Sequence, residues 1–170
     1  MLSYRPVQDE DISIICQFPQ SEIELFFMYP KATYPLTYEQ LKAAIDQRSD
    51  STVVTLDKSI SGFANFYISE PGEKCCIGNL IIAPDKRGKG VGKYLVETMV
   101  QLAYQNYRAK EIHISCFNQN VAGLLLYTRC GFCPFAIDER VDKEGNRVAL
   151  IHMRLKPLLK ALNKSTILPC

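Results

Sequence analysis

A nine-residue apolar run, Cys75 to Ala83 (CCIGNLIIA), leads straight into PDKRGKGVGKYL, Pro84 to Leu95. A Tyr, Leu, Val and Met pattern then continues to about Tyr107. This junction restricts the fold more than any other stretch. The apolar run reads as a central strand buried on both faces. The pattern after it reads as a helix from Val91 to Tyr107, with Val91, Leu95, Met99 and Leu102 on one face. Between them Gly88, Gly90 and Gly92 sit among Lys86, Arg87, Lys89 and Lys93. A glycine-rich turn from strand to helix presents unpaired backbone N–H groups at the positive end of a helix dipole. Glycine also lets the backbone approach a phosphate closely. The physical expectation is a phosphate or pyrophosphate ligand.

The remaining segments complete a mixed α/β layer with helices on both sides of one sheet. LTYEQLKAAIDQR carries a capping-box signature, Thr37 with Gln40, ahead of Leu41, Ala44 and Ile45 at helical spacing. TVVTL and ISGFANFYI read as two strands joined at DKS. EIHISCF is another strand, and NVAGLLLYTRC is a helix that Gly131 ends. FCPFAIDERV and RVALIHMRL form a closing hairpin around DKEGN.

The 170 residues suit one domain, expected over 1–157, with a tail over 158–170. The chain is 47% hydrophobic and 22% charged, ordinary values for a globular protein. A net charge of +2 gives no nucleic-acid footprint. No apolar run approaches a membrane span, and the acidic opening lacks a signal-peptide core. The expectation is a cytoplasmic protein with no nucleic-acid or membrane partner. Seven cysteines are then read as reduced thiols. Cys170 lies at the last position, outside a prenylation box, and the NKS at Asn163 carries no meaning in the cytosol.

Two nucleotide motifs fail on spacing. A mononucleotide P-loop needs one more residue between Gly88 and Gly92, and Tyr94 stands where Ser or Thr would bind magnesium. A dinucleotide fingerprint needs a glycine where Lys93 stands, and Glu111 opens the next strand instead of ending it. A third pattern fits. Arg87-x-x-Gly90-x-Gly92 after LIIAP resembles the acetyl-CoA turn of the GNAT superfamily of N-acetyltransferases. NQNVAGLLLYTRCGF, with Asn120, Tyr127, Gly131 and Phe132, resembles a second segment of that family, in the family's order.

The resemblance implies a GNAT-type fold: an α/β domain with a mixed, mostly antiparallel sheet, a splayed strand pair and helices on both faces. It implies acetyl-CoA as cosubstrate and no metal. The backbone of Leu80, Ile81 and Ile82 would pair with the pantetheine arm, although the same residues read equally well as plain core. The pyrophosphate would lie on the amides of Gly88, Lys89, Gly90, Val91, Gly92 and Lys93, with Arg87 adding charge. The Asn120 side chain would hydrogen-bond the cofactor. Tyr127 would protonate the leaving thiolate, a role its ordinary pKa of ~10 suits against ~8.5 for a thiol. The bland reading of Tyr127 is packing under the cofactor. The acceptor would be an amine, on a small molecule or at a peptide N-terminus or lysine, and the protein a monomer or homodimer. A non-catalytic sensor of acetyl-CoA, and transfer of a longer acyl chain, are the rival readings.

No base is assigned. Where relatives carry a glutamate, this chain has Cys75 or Cys76, and Ser115, and Asn79 is also neutral. Glu70, Glu73, His113 and an ordered water remain candidates. The acceptor pocket would fall on SEIELFFMYPKATYPLTYEQ, with Glu22 and Glu24 beside Phe26, Phe27, Tyr29, Tyr34 and Tyr38. Phe26 and Phe27 read first as core, and Met28-Tyr29-Pro30 and Tyr34-Pro35 as pocket loops. CGFC, Cys130 to Cys133, matches a redox pair in form, but it sits at a helix C-terminus, where the dipole disfavours a thiolate.

Overall fold

The computed structural model describes residues 1–156; the tail expected over 158–170 lies outside them. The elements in order are β1 (Leu2–Pro6), α1 (Asp9–Ile15), α2 (Glu22–Met28), α3 (Tyr38–Gln47), β2 (Ser49–Leu56), β3 (Ser59–Ser69), β4 (Lys74–Ile82), α4 (Val91–Tyr107), β5 (Glu111–Phe117), α5 (Val121–Arg129), β6 (Phe132–Val141) and β7 (Arg147–Leu155). A short 3-10 turn, Pro84–Lys86, separates β4 from the glycines. One sheet runs β1-β2-β3-β4-β5-β7-β6. Its pairings are antiparallel except β4 with β5, which run parallel. This is the mixed, mostly antiparallel α/β sheet expected from the sequence.

The sheet is covered on both faces. Ile12, Ile15, Leu25 and Leu41 of α1–α3 pack on Phe63 and Ile81. Leu95, Val96 and Met99 of α4 pack on Phe66, Ile77 and Ile114, and Tyr127 of α5 joins that side. The α4 stripe differs from expectation by one step: Ala103 is buried, while Leu102 is only partly so. Thr37 caps α3 by accepting from the Gln40 N–H. The Gln40 side chain serves the preceding loop, bonding both the N–H and the C=O of Thr33. Met28 belongs to α2 and is buried, not placed in a loop. The β1 strand, which no sequence signal marked, is held to α1 by Arg5 and the buried Asp11.

Two irregularities shape the centre. Against Phe63 to Asn65 of β3, β4 sets Ile81 to Gly78, one residue more. The extra residue is a bulge, marked by the left-handed backbone of Asn79 (φ 49). It changes the parity of the strand: Ile77 packs under α4, and Ile81, four positions on, packs on the opposite face. A second bulge puts the extra residue, Tyr67, on β3.

Candidate active site

The register between β4 and β5 runs from Lys74–Glu111 to Ile77–Ile114 and then stops. β4 continues to Ile82 and β5 to Phe117. Beyond Ile77 the two strands have separated, so the β5-facing backbone of residues 78–82 has no strand partner among the described residues. A cleft of about 840 Å³ opens there.

Most residues singled out in the sequence line this cleft: Leu80, Ile81, Ile82, Arg87, Gly88, Gly90, Gly92, Lys93, Asn120 and Tyr127. Lys89 is exposed on the turn, and the Val91 side chain is buried in the core. Gly90 caps the 17-residue α4 with φ 82, and Gly88 has φ 73. Side chains are strained in that region, and a Cβ at either glycine would meet nothing within 4 Å. Backbone conformation, not crowding, therefore demands glycine here. At Gly92 the reason is contact, since a Cβ would lie 3.0 Å from the Leu126 side chain.

Arg87 is already engaged. Its guanidinium takes both oxygens of Glu24 at 2.8 and 2.9 Å, and its Nε donates to the Ile82 carbonyl at 3.4 Å. The hydrogen bond from Arg87 holds the Glu24 carboxyl below its usual range, against some burial. The pair clips α2 to the turn, so Glu24 is not a free carboxylate for an acceptor.

Asn120 also has two faces. Its Oδ1 accepts from the Gly123 N–H at 3.0 Å and caps α5, while Nδ2 makes no hydrogen bond among the described residues. Tyr127, projecting from that helix, is 5% exposed. Burial, then the neighbouring Cys116 and Cys130 thiols, push its phenol pKa up, so it stays protonated. The Cys130 thiol is likewise pushed up by burial.

The aromatic segment divides. Phe27 and Met28 line the cleft, but Phe26 stacks on Phe117 at 4.3 Å in the core. Tyr38 donates to Asp9 instead. Of the candidate bases, Glu73 pairs with Lys110 and Glu70 with Lys74. Both lie at the N-terminal end of β4; five residues of strand from Glu73 to Gly78 span ~17 Å. His113 is held by Glu111 at 2.7 Å and packs on the Phe135 ring.

Two polar groupings went unseen in the sequence. Arg48 donates to Asn65 at 3.1 Å, Asn65 to Asn79 at 3.1 Å, and Asn79 to the Met28 carbonyl at 3.0 Å. This chain of bonds fixes the bulge beside the cleft. Arg48 also lies over the rings of Tyr29 and Tyr67, and burial lowers its pKa. Separately, Ser115 of β5 bonds His152 Nδ1 at 2.8 Å, and His152 Nε2 meets Asp138 at 3.0 Å. Period-two alternation in the sequence does place Ser115 on the strand face of His113, but not the partners across β7 and β6.

Comparison with known proteins agrees with this layout. The family model described as acetyltransferase (GNAT) family matches residues 16–132. The spermine/spermidine N(1)-acetyltransferase of Bacillus subtilis is 37% identical over 62 residues, which are 36% of this chain and 39% of that protein. The match thus spans well under half of that relative's length. Spermidine N-acetyltransferase from Vibrio cholerae, solved with CoA and spermine, superposes with a TM-score of 0.72 at 18% identity, over 91% of this chain and 94% of that one. The ribosomal-protein-S18-alanine N-acetyltransferase from Escherichia coli gives 0.71 at 18% identity, over 98% and 100%. At such identities these structures speak for the fold, while the family model covers most of the chain. The chain belongs to the acetyltransferase (GNAT) family.

Proposed function

We propose that this protein is an N-acetyltransferase that moves the acetyl group of acetyl-CoA onto a primary amine. One observation carries the reading: a single cleft joins the unpartnered edge of β4, residues 78–82, to the glycine turn at the head of α4. An unpaired strand edge takes another extended chain through its N–H and C=O groups, which suits an amide-bearing pantetheine arm. The backbone amides from Gly88 to Lys93 at a helix N-terminus suit a pyrophosphate. Bound there, acetyl-CoA supplies an acyl group activated as a thioester.

The chain's own residues supply the rest. Leu80, Ile81 and Ile82 wall the cleft and hold the donor away from water. Asn120 offers its free Nδ2. Tyr127 keeps a proton on its hydroxyl and hands it to the departing sulfur. On the acceptor side, Glu22, Asp142 and Glu144 line a second cavity of about 220 Å³, with Lys143 the one cation among its lining residues. Gln119 lines both cavities. Carboxylates beside the cleft suit a cationic amine, and the relatives named for spermine and spermidine make polyamines the first acceptors to try. The test is a mass-spectrometric screen for acetyl-CoA-dependent acetylation of polyamines, aminoglycosides, peptide N-termini and lysines. One acetylated amine with stoichiometric thiol release supports the reading. Donor binding with no transfer to any class would favour a sensor.

A further inference from the structure

The proposed reaction needs a group that removes a proton from the attacking ammonium, and among the described residues the one glutamate lining the cleft, Glu24, is held on both oxygens by Arg87. Ser115 is the first residue of β5 beyond the Ile77–Ile114 pair. The position facing it across the opening is Gly78, and the space a Cβ there would take is filled by the Tyr67 and Arg48 side chains, which stand 2.8 and 2.9 Å from it. Ser115 alternates with Cys116, which packs in the α4–α5 core beside Tyr127. Ser115 and Tyr127 therefore stand on opposite faces of the sheet, Tyr127 lining the cleft and Ser115 one residue past the last pair between β4 and β5. An amine arriving on the α2 face would meet Ser115, and a sulfur leaving on the α5 face would meet Tyr127.

Behind Ser115 the hydrogen bonds continue in line. Its Oγ bonds His152 Nδ1 at 2.8 Å, and His152 Nε2 bonds Asp138 Oδ2 at 3.0 Å. The carboxylate accepts only, so the neutral ring carries its proton on Nε2 and leaves Nδ1 to accept from the serine hydroxyl. We propose that Ser115, His152 and Asp138 form the base relay of this enzyme, an inference that rests on the acetyltransferase reading above. The amine gives one N–H proton to Ser115 Oγ, the serine hydroxyl gives its proton to His152 Nδ1, and Asp138 holds the resulting imidazolium. No bond to the serine oxygen other than O–H forms or breaks. Ser115 is the catalytic residue, and His152 and Asp138 act through it. The titratable and charged groups around the ring, among the described residues, are Asp138 and its partner Arg140 on β6, His113 across the Phe135 ring, Arg154 over that ring, and Tyr67 near Ser115.

The experiment compares wild type with Ser115→Ala, His152→Gln and Asp138→Asn, using acetyl-CoA and spermidine from acid to alkaline pH. Expected is a fall in kcat of ~10²-fold for Ser115→Ala and His152→Gln, with unchanged acetyl-CoA affinity. His152→Gln should also abolish the acidic limb of the kcat profile, and Asp138→Asn should move that limb to lower pH. A His152→Gln enzyme with wild-type kcat and limb overturns the relay, as does an acetylated Ser115 in the intact-mass spectrum. Nitrogen NMR of the histidines in the full chain decides independently of turnover: the Nε2–H tautomer at His152 supports the relay and the Nδ1–H tautomer overturns it. Should spermidine not react, that failure belongs to the acceptor assignment, and the NMR result alone decides the relay.

Discussion

Ile77 and Ile114 are the last residues paired between the two parallel strands at the centre of the sheet. Everything proposed for this protein follows from what happens one residue later. β4 bulges at Asn79 and β5 runs on straight, so an edge opens in the middle of a sheet, where edges are normally closed. The bulge is held by the Asn79 side chain, 3% exposed, between Asn65 and the Met28 carbonyl.

That anchor can be measured. Asn79→Ala leaves the Met28 carbonyl and the Asn65 amide without these partners and replaces asparagine, which tolerates left-handed backbone, with alanine at φ 49. The expected loss is about 2–4 kcal/mol in urea unfolding. Asn79→Gly tolerates the backbone and should lose about 1 kcal/mol less. Equal stability for both variants and wild type would contradict the account of the bulge.

Gly90 and Gly145 make a matched pair. Both have left-handed backbone, φ 82 and 86, and open space at the Cβ position. Alanine at either should cost about 1–2 kcal/mol. Only Gly90→Ala should also weaken acetyl-CoA binding in calorimetry, because only Gly90 caps α4 at the cleft. Equal donor affinity in the two variants would remove the turn from the site.

Much of this was legible beforehand. β5, β6, β7 and α4 have the bounds read from the sequence, because each is a clear periodic run with turn residues at its ends. The glycine turn was legible because its spacing is local, and Asn120 and Tyr127, pointed to by the family resemblance, line the same cleft. The bulge was not. An apolar run such as CCIGNLIIA does not show where an extra residue is inserted; only the register against β3 does. Ser115, His152 and Asp138 lie on three strands, and their meeting depends on how those strands pair. Arg87 was read as a cofactor cation, and its grip on Glu24, 63 positions away, depends on tertiary contact alone.

Tyr127→Phe should lower kcat and kcat/KM together by ~10²-fold or more, the sign of an interaction made only as the bond breaks. Acetyl-CoA affinity should change little, since the ring and its packing remain. Steady-state kinetics with direct donor titration measures both. Unchanged kcat would reduce Tyr127 to a packing residue.

Asp11 supplies a pH dependence of stability. Burial pushes its carboxyl up, but the Arg5 guanidinium and the Gln8 N–H more than reverse this, leaving the pKa below the ordinary value. A carboxylate with a lowered folded pKa adds stability above its unfolded pKa of ~3.9 and loses it as pH falls through the folded value. Asp11→Asn should cost about 2 kcal/mol at neutral pH, discounted for the partly exposed arginine, and the gap to wild type should shrink in acid. Urea titrations at neutral and acid pH measure it; a gap that widens in acid would refute the assignment.

The central claim is that the edge opened beyond Ile77 and the turn at Gly90 together hold acetyl-CoA. Amide hydrogen exchange, with and without saturating acetyl-CoA, reads that most directly. The account predicts slowed exchange concentrated in residues 78–82 of β4 and 88–93 of the turn, with β1 and β6 unchanged. No protection in those two segments, or protection confined to another part of the sheet, would contradict it.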